Sequence, residues 1–298
     1  LESDVLTKDG LKMNLFNYSS FKTELNRSSR SLVVTWKDSL HHEHFNSEML
    51  FELESLLSWL ITRVEINSVL FKAETSIFSE GIKPHCLHQQ NAHQVEKWQL
   101  KLQKLIYSMM QLPQTIIVDL GTKASNIALE FSLGADIRLG HRDGEFAFNH
   151  ARLGLTPACG GLSLLPFFVA PAYSRAWLSS GSTISKEALL SSGFIHQLYD
   201  ESSKDFHIDH LLNEVNQQAP IQRIQSKMGL FEAWRELKEN QMTRERKISK
   251  ASLVSEDWKQ NPKDESGFMS AKSISYAVKL SLVKSEGWAE GDDQGPSH

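Results

Sequence analysis

The chain has 298 residues, 40% of them hydrophobic and 23% charged, a balance that fits a folded globular protein and excludes wholesale disorder. Against 36 Asp and Glu, 32 Lys and Arg leave a net charge of −4, too weak an excess to point to a nucleic acid or a membrane surface as partner. No uncharged apolar run approaches the roughly 18 residues that span a bilayer and no secretory signal opens the sequence, while two cysteines, Cys86 and Cys159, are too few for a disulfide scaffold. A cytoplasmic location is the expectation.

The first forty residues alternate strand and turn signals, with Leu32-Val33-Val34-Thr35-Trp36 as the strongest β run. Asn46 or Ser47 caps a helix in which Met49, Leu50, Leu53, Leu56, Leu57 and Leu60 recur at three- and four-residue steps. A short buried strand over 68–73 leads to a polar loop from Phe78 to Pro84. A second amphipathic helix, marked by Trp98, Leu102, Leu105 and Met109, is closed by Pro113. Thr115 to Val118 is a strand that turns at Gly121. Ser125 or Asn126 then caps a short helix whose face holds Ile127, Glu130, Phe131 and Gly134. Strands at 137–139 and 145–148 flank a turn, and Pro157-Ala158-Cys159-Gly160-Gly161 is a tight turn before an apolar stretch. Strands interleaved with helices at this spacing predict α/β architecture.

Past residue 205 the texture becomes helical. Ile221, Ile224, Met228, Phe231 and Trp234 form one stripe, Arg244, Arg246, Lys247 and Lys250 a basic run read as a solvated face, and Ile274, Val278 and Leu282 a last helix. The division expected is a core over 1–205, a helical oligomerisation region over 206–286 and a disordered tail over 287–298.

Few residues stand out for chemistry. Glu130 shares a helix face with apolar neighbours, where a carboxylate is desolvated unless partnered and so is suited to proton transfer; the plainer reading is a carboxylate at the edge of that face reaching solvent or a salt bridge. His150 follows the apolar strand Phe146-Ala147-Phe148, a place where histidine is most often structural. Cys159 on its sharp turn has no evident base to make it a nucleophile. Histidines cluster at His41-His42-Glu43-His44 and at His85-Cys86-Leu87-His88 with His93 beyond; a metal site is the sharp reading of the second cluster, but it lacks zinc-finger spacing and sits among Pro, Gln and Asn, so a solvated loop is the plainer one and no metal is expected.

Taken in order, several segments resemble the enoyl-CoA hydratase/isomerase (crotonase) superfamily. They are Leu112-Pro113 with its strand, Ala128 through Arg138, Phe146-Ala147-Phe148, Leu153-Gly154-Leu155, Pro157 through Gly161, Ser180-Gly181, and Ile184 through Ile195. Upstream, Ser76 through Ile82 looks like that family's first oxyanion-hole loop. The resemblance covers roughly residues 30 to 205. It implies a spiral of ββα units followed by helices that assemble a homotrimer or a dimer of trimers. It also implies an acyl-CoA thioester as substrate, with no cofactor beyond that coenzyme A, whose oxygen is held by two backbone N–H groups while an enolate forms. By register these are the N–H groups of Ile82 and Ile127, the second at the start of a helix whose dipole favours an anion. Glu130 falls on the first catalytic glutamate position, whereas the second is occupied by His150. Lys37 stands in weakly for a missing Arg-Pro entry at the nucleotide end, and Lys83 replaces a common aspartate.

The segment Lys123-Ala124-Ser125-Asn126-Ile127 lacks the glycines usual before the catalytic helix, and with them positive-φ freedom and bare backbone. The implied activity is a hydratase- or isomerase-like reaction of an acyl-CoA. Its alternatives are a catalytically silent acyl-CoA-binding or scaffold subunit, and a CoA-independent diketone C–C hydrolase.

Overall fold

Among the described residues ten strands form two sheets. Phe21–Asn26 (β2) and Ser31–Trp36 (β3) make an antiparallel hairpin, edged by Lys12–Asn14 (β1). From β3 onward the larger sheet is parallel through Ser68–Ala73 (β4), Thr115–Asp119 (β6), Ile137–His141 (β8) and Gln197–Tyr199 (β10). Three short strands, Ile77–Ser79 (β5), Lys123–Ser125 (β7) and Glu145–Ala147 (β9), form a second parallel sheet. The computed structural model describes residues 12–14, 16–37, 45–82, 86–87 and 90–259.

The chain order explains the two sheets. Each turn of the spiral lays one strand in the large sheet and the next in the small one: β4 then β5, β6 then β7, β8 then β9. A helix follows the first two of these pairs, so the repeating unit is ββα, as the resemblance implies. Parallel neighbours require such crossovers, and strands buried on both faces are apolar without alternation, which is what Val69-Leu70-Phe71 and Ile116-Ile117-Val118 show. The polar loop expected from Phe78 begins instead as β5, and β7 and β10 carried no strand signal; each is only three residues long.

Ser47–Leu60 (α1) and Ala92–Gln111 (α2) are the two long helices of the core. Asn46, not Ser47, caps α1 by accepting the Met49 N–H at 2.9 Å, a contact worth about 1 kcal/mol. Asn91 and Gln94 form a reciprocal capping box on α2, which stops before Leu112 because Pro113 holds its predecessor extended. The expected apolar positions of α1 are all buried. They meet an aromatic cluster in which Trp36 lies 5.5–6.5 Å from the rings of Phe21, Phe45, Phe71, Phe78 and Phe131.

Ile127–Ser132 (α3) is shorter than expected and ends before Gly134. All six of its residues are buried, so it is not amphipathic: it is a core helix that carries Glu130 inside. Leu165–Phe168 (α4), Pro171–Ser180 (α5) and Lys186–Ser191 (α6) follow, then Lys204–Gln217 (α7), Pro220–Ala233 (α8) and Arg235–Ser252 (α9). The stripe read on α8 has the right period, but only Phe231 of it is buried; Ile221 and Trp234 are exposed. The helix read around Ile274 and the tail from Gly287 lie outside the described residues. Among the described residues no helix is long and apolar enough to cross a membrane.

Candidate functional site

Adjacent β5 and β7 in the small sheet bring two distant loops side by side. After β5 the chain turns through Gly81, at φ +77°, and presents the Ile82 N–H; after β7 it turns through Asn126 and presents the Ile127 N–H. The two N–H groups named from sequence converge on one atom. Asn126 Oδ1 accepts from Ile82 N at 2.9 Å and from Ile127 N at 2.7 Å. The amide nitrogen of the same side chain donates to the Glu80 carbonyl and to Asn149 Oδ1, both at 3.2 Å.

The backbone of Asn126 corrects one expectation. Loss of the glycines was read as loss of positive-φ freedom, yet Asn126 sits at φ +43°, ψ −113°, close to the first central position of a type II′ turn, where glycine is usual. Asparagine is among the few residues that tolerate positive φ. The Ala147 carbonyl holds its N–H at 2.9 Å, fixing the turn to β9. The turn geometry is therefore kept, while the bare backbone is replaced by a side chain.

Glu130 is 0% exposed and His150 2%, and they touch: His150 Nε2 lies 2.9 Å from Glu130 Oε2. Burial overturns the solvent-reaching half of the edge-of-face reading of Glu130; the partner that reading also allowed is His150. Its second oxygen, Oε1, accepts the N–H groups of Cys159 at 3.0 Å and Gly161 at 2.8 Å. His150 opens a 3-10 turn, His150–Leu153, with its ring stacked on Phe148; its Nδ1 has no hydrogen-bond partner among the described residues. Asn149, its neighbour in sequence, links this pair to the Asn126 side chain.

A second buried carboxylate faces the same turn from the other side. Glu245 of α9 accepts from Gly160 N at 3.2 Å, Leu162 N at 2.8 Å, Ser163 Oγ at 2.6 Å and Gln103 Nε2 at 3.0 Å. The N–H groups of residues 159 to 162 thus go alternately to Glu130 and Glu245. Burial, followed by the nearby charge of Glu130, pushes the Glu245 carboxyl up to about 7. The same two causes, with the charge of Glu245 added, drive the Cys159 thiol well above its ordinary range; a buried, protonated thiol is no nucleophile.

A half-open cleft of about 420 Å³ lies against Ile82, walled by Leu50, Leu87, Val95 and Trp98, with Lys97 and Lys101 adding positive charge. Neither Glu130 nor His150 is among its walls. Lys37, named for the nucleotide end, is also absent from them; its ammonium donates to the Tyr18 carbonyl instead. Cys86 lines the cleft, whereas His41 through His44, Lys83, His85 and His88 lie outside the described residues. Among the described residues no cluster of His, Cys, Asp and Glu is arranged to hold a metal.

Sequence reasoning treated Asn126 only as a helix cap and passed over Glu245 altogether. The signal for Glu245 was available: Lys238, Met242, Glu245 and Ser249 recur at helical spacing and are the buried face of α9, so the carboxylate belongs to that face rather than to the basic run around it.

Residues 27–270 match the profile of a family described as enoyl-CoA hydratase/isomerase. Among curated relatives, 1,2-epoxyphenylacetyl-CoA isomerase of Escherichia coli (strain K12) is 29% identical over 99 residues, 33% of this chain and 38% of that one. A probable enoyl-CoA hydratase of Bacillus subtilis (strain 168) is 29% identical over 147 residues, 48% of this chain and 57% of the relative. The matched stretches therefore span less than two thirds of either curated relative. The crystal structure of an enoyl-CoA hydratase from Bacillus halodurans superposes with a TM-score of 0.71 at 18% identity, over 79% of this chain and 95% of that one, a likeness of fold.

Proposed function

The chain belongs to the enoyl-CoA hydratase/isomerase family, and from that premise we propose that it acts on an acyl-CoA thioester by stabilising an enolate at the Ile82 and Ile127 N–H groups. The observation that carries this reading is their convergence on a single oxygen at 2.9 and 2.7 Å from two loops far apart in sequence. Two donors aimed at one point are the arrangement that stabilises a developing oxyanion, at about 3–4 kcal/mol per donor. Removing an α-proton from the acyl group moves the electron pair toward the thioester oxygen, and the N–H pair receives the charge.

Glu130 is the proton-exchanging group in this proposal. His150, in contact with its Oε2, relays the proton or holds a water. Hydration or dehydration of an enoyl-CoA is the default reaction; isomerisation, decarboxylation and C–C hydrolysis share the same first half. Coenzyme A enters only as part of the substrate. Residues 206–286 would assemble a homotrimer or a dimer of trimers, which the exposed Ile221, Leu230 and Trp234 of the helical region support. A cytoplasmic location belongs to the same proposal.

A second reading, a catalytically silent acyl-CoA-binding subunit, is favoured by two specific observations: a side chain of the protein occupies the N–H pair, and every oxygen of the buried Glu130 is already engaged. Calorimetric titration with CoA and acetyl-CoA tests what the readings share. A panel of enoyl-CoA substrates separates them: the enzyme reading expects turnover that falls about 100- to 10,000-fold in Glu130→Gln, the usual share of a general acid–base group. Full turnover in that variant overturns the role of Glu130, and CoA binding without turnover of any substrate leaves the silent reading standing.

A further inference from the structure

Resting on the acyl-CoA reading, we propose that Asn126 is an internal ligand of the oxyanion hole, one that excludes neutral thioester carbonyls and yields only to an oxygen carrying negative charge. The hole is formed and filled at once: Asn126 Oδ1 makes both hydrogen bonds that an acyl oxygen would make. The occupant is held on three sides. Its Nδ2 donates to Glu80 O and Asn149 Oδ1, its own N–H is tied to Ala147, and Gly81 leaves room for Oδ1 where any side chain would collide with it. The backbone conformation it holds is one that favours glycine, so the side chain is retained against a local conformational cost.

The chemistry of the competing oxygens sets the selectivity. An amide carbonyl accepts hydrogen bonds better than a thioester carbonyl, because nitrogen feeds its lone pair into the carbonyl more effectively than sulfur does. A neutral acyl-CoA therefore gains nothing by displacing Asn126, and its affinity rests on the coenzyme alone. An enolate oxygen is charged, and charge-assisted hydrogen bonds are about twice as strong as neutral ones, so it displaces the amide. Asn126 would thus be a specificity-determining residue: a substrate that forms its enolate readily opens the hole, and one that does not is held as if it were free CoA.

The test compares CoA, acetyl-CoA and acetoacetyl-CoA on the full chain and on Asn126→Gly, by calorimetry and by the near-ultraviolet absorbance of the acetoacetyl-CoA enolate. In the native protein, acetyl-CoA should bind within about two-fold of CoA, while acetoacetyl-CoA binds more tightly and shows the enolate band. In Asn126→Gly, acetyl-CoA should gain about ten-fold over CoA as two neutral hydrogen bonds become available to it. A native protein that already prefers acetyl-CoA to CoA as strongly as the variant does overturns the proposal.

Amide hydrogen exchange judges the occupant independently of any ligand. The Ile82 and Ile127 N–H groups should be protected in the native protein. Both should lose protection in Asn126→Gly, while Leu129, whose N–H bonds the residue 126 carbonyl, keeps it. Rapid exchange of both in the native chain overturns the internal ligand whatever binds. Protected N–H groups with no affinity for CoA or either thioester would instead sink the acyl-CoA reading and the selectivity built on it.

Discussion

Gly81→Ala tests the closeness of the two loops directly. Gly81 has φ +77°, and an added Cβ would lie 2.5 Å from the Ser125 carbonyl oxygen and closer still to Oδ1 and Cγ of Asn126. The left-handed backbone costs an alanine about 1–2 kcal/mol. Forcing a methyl group into a filled space costs about 1–3 kcal/mol more. The sum, about 2–5 kcal/mol, lowers the urea midpoint of unfolding without changing its slope. Part of that cost belongs to a side chain and part to backbone, and a double-mutant cycle separates them. Asn126→Gly removes the collision with the amide but leaves the Ser125 carbonyl in place, so the double variant should be more stable than the sum of the single effects by about 1–2 kcal/mol, yet not restored. A loss below about 1 kcal/mol in Gly81→Ala, or strict additivity in the cycle, refutes the packing of Asn126 against Gly81.

Two further predictions concern buried charge. The Glu245 carboxyl is raised from 4.5 to about 7, so between those values the folded chain binds a proton that the unfolded chain has released. Stability therefore falls as pH rises through that window and levels off above it. Glu245→Gln should flatten the fall in a series of urea unfolding curves, and an unchanged slope would show that another group sets it. Arg138, fully buried, donates to the carbonyls of Phe194, Ser132 and Ala135 at 2.6, 3.0 and 2.9 Å, with its guanidinium 4.7 Å from the Phe168 ring centre and 5.4 Å from that of Phe194. Arg138→Met keeps the bulk but strands those acceptors and should cost about 2–4 kcal/mol in the same assay; a cost under 1 kcal/mol would mean that the carbonyls find other donors.

What was legible in the sequence divides by the range of the cause. Helix α1 was readable to its cap because the apolar period and the Asn46 side chain act within a single turn of helix. Strands β3, β4 and β6 were readable because apolar runs mark buried parallel strands. The three-residue strands β5, β7 and β10 carry no pattern of their own; lateral pairing with partners far along the chain defines them. The meeting of Glu130 with His150 came from the family resemblance rather than from spacing, since 20 residues and two strands separate them. The direction of the Asn126 side chain was not legible at all, because it follows from a positive φ that only the surrounding sheet imposes. On α8 the period was legible but not the surface it covers: Phe231 is buried in the single chain, whereas Ile221 and Trp234 face outward.

The alternating hydrogen bonds of residues 159 to 162 bear on how the chain is made. Synthesis delivers the N-terminal part first, and the Gly160 N–H meets its acceptor only when a residue 85 positions later has emerged. Until then the Glu130 carboxylate holds the Cys159 and Gly161 N–H groups, while those of Gly160 and Leu162 wait for the acceptor they have in the folded chain. A nascent chain stopped before Glu245 therefore lacks the acceptor of two of the four successive N–H groups of this turn. Completion of α9 is the event that supplies the missing acceptor, so a helix made late finishes a turn made long before it.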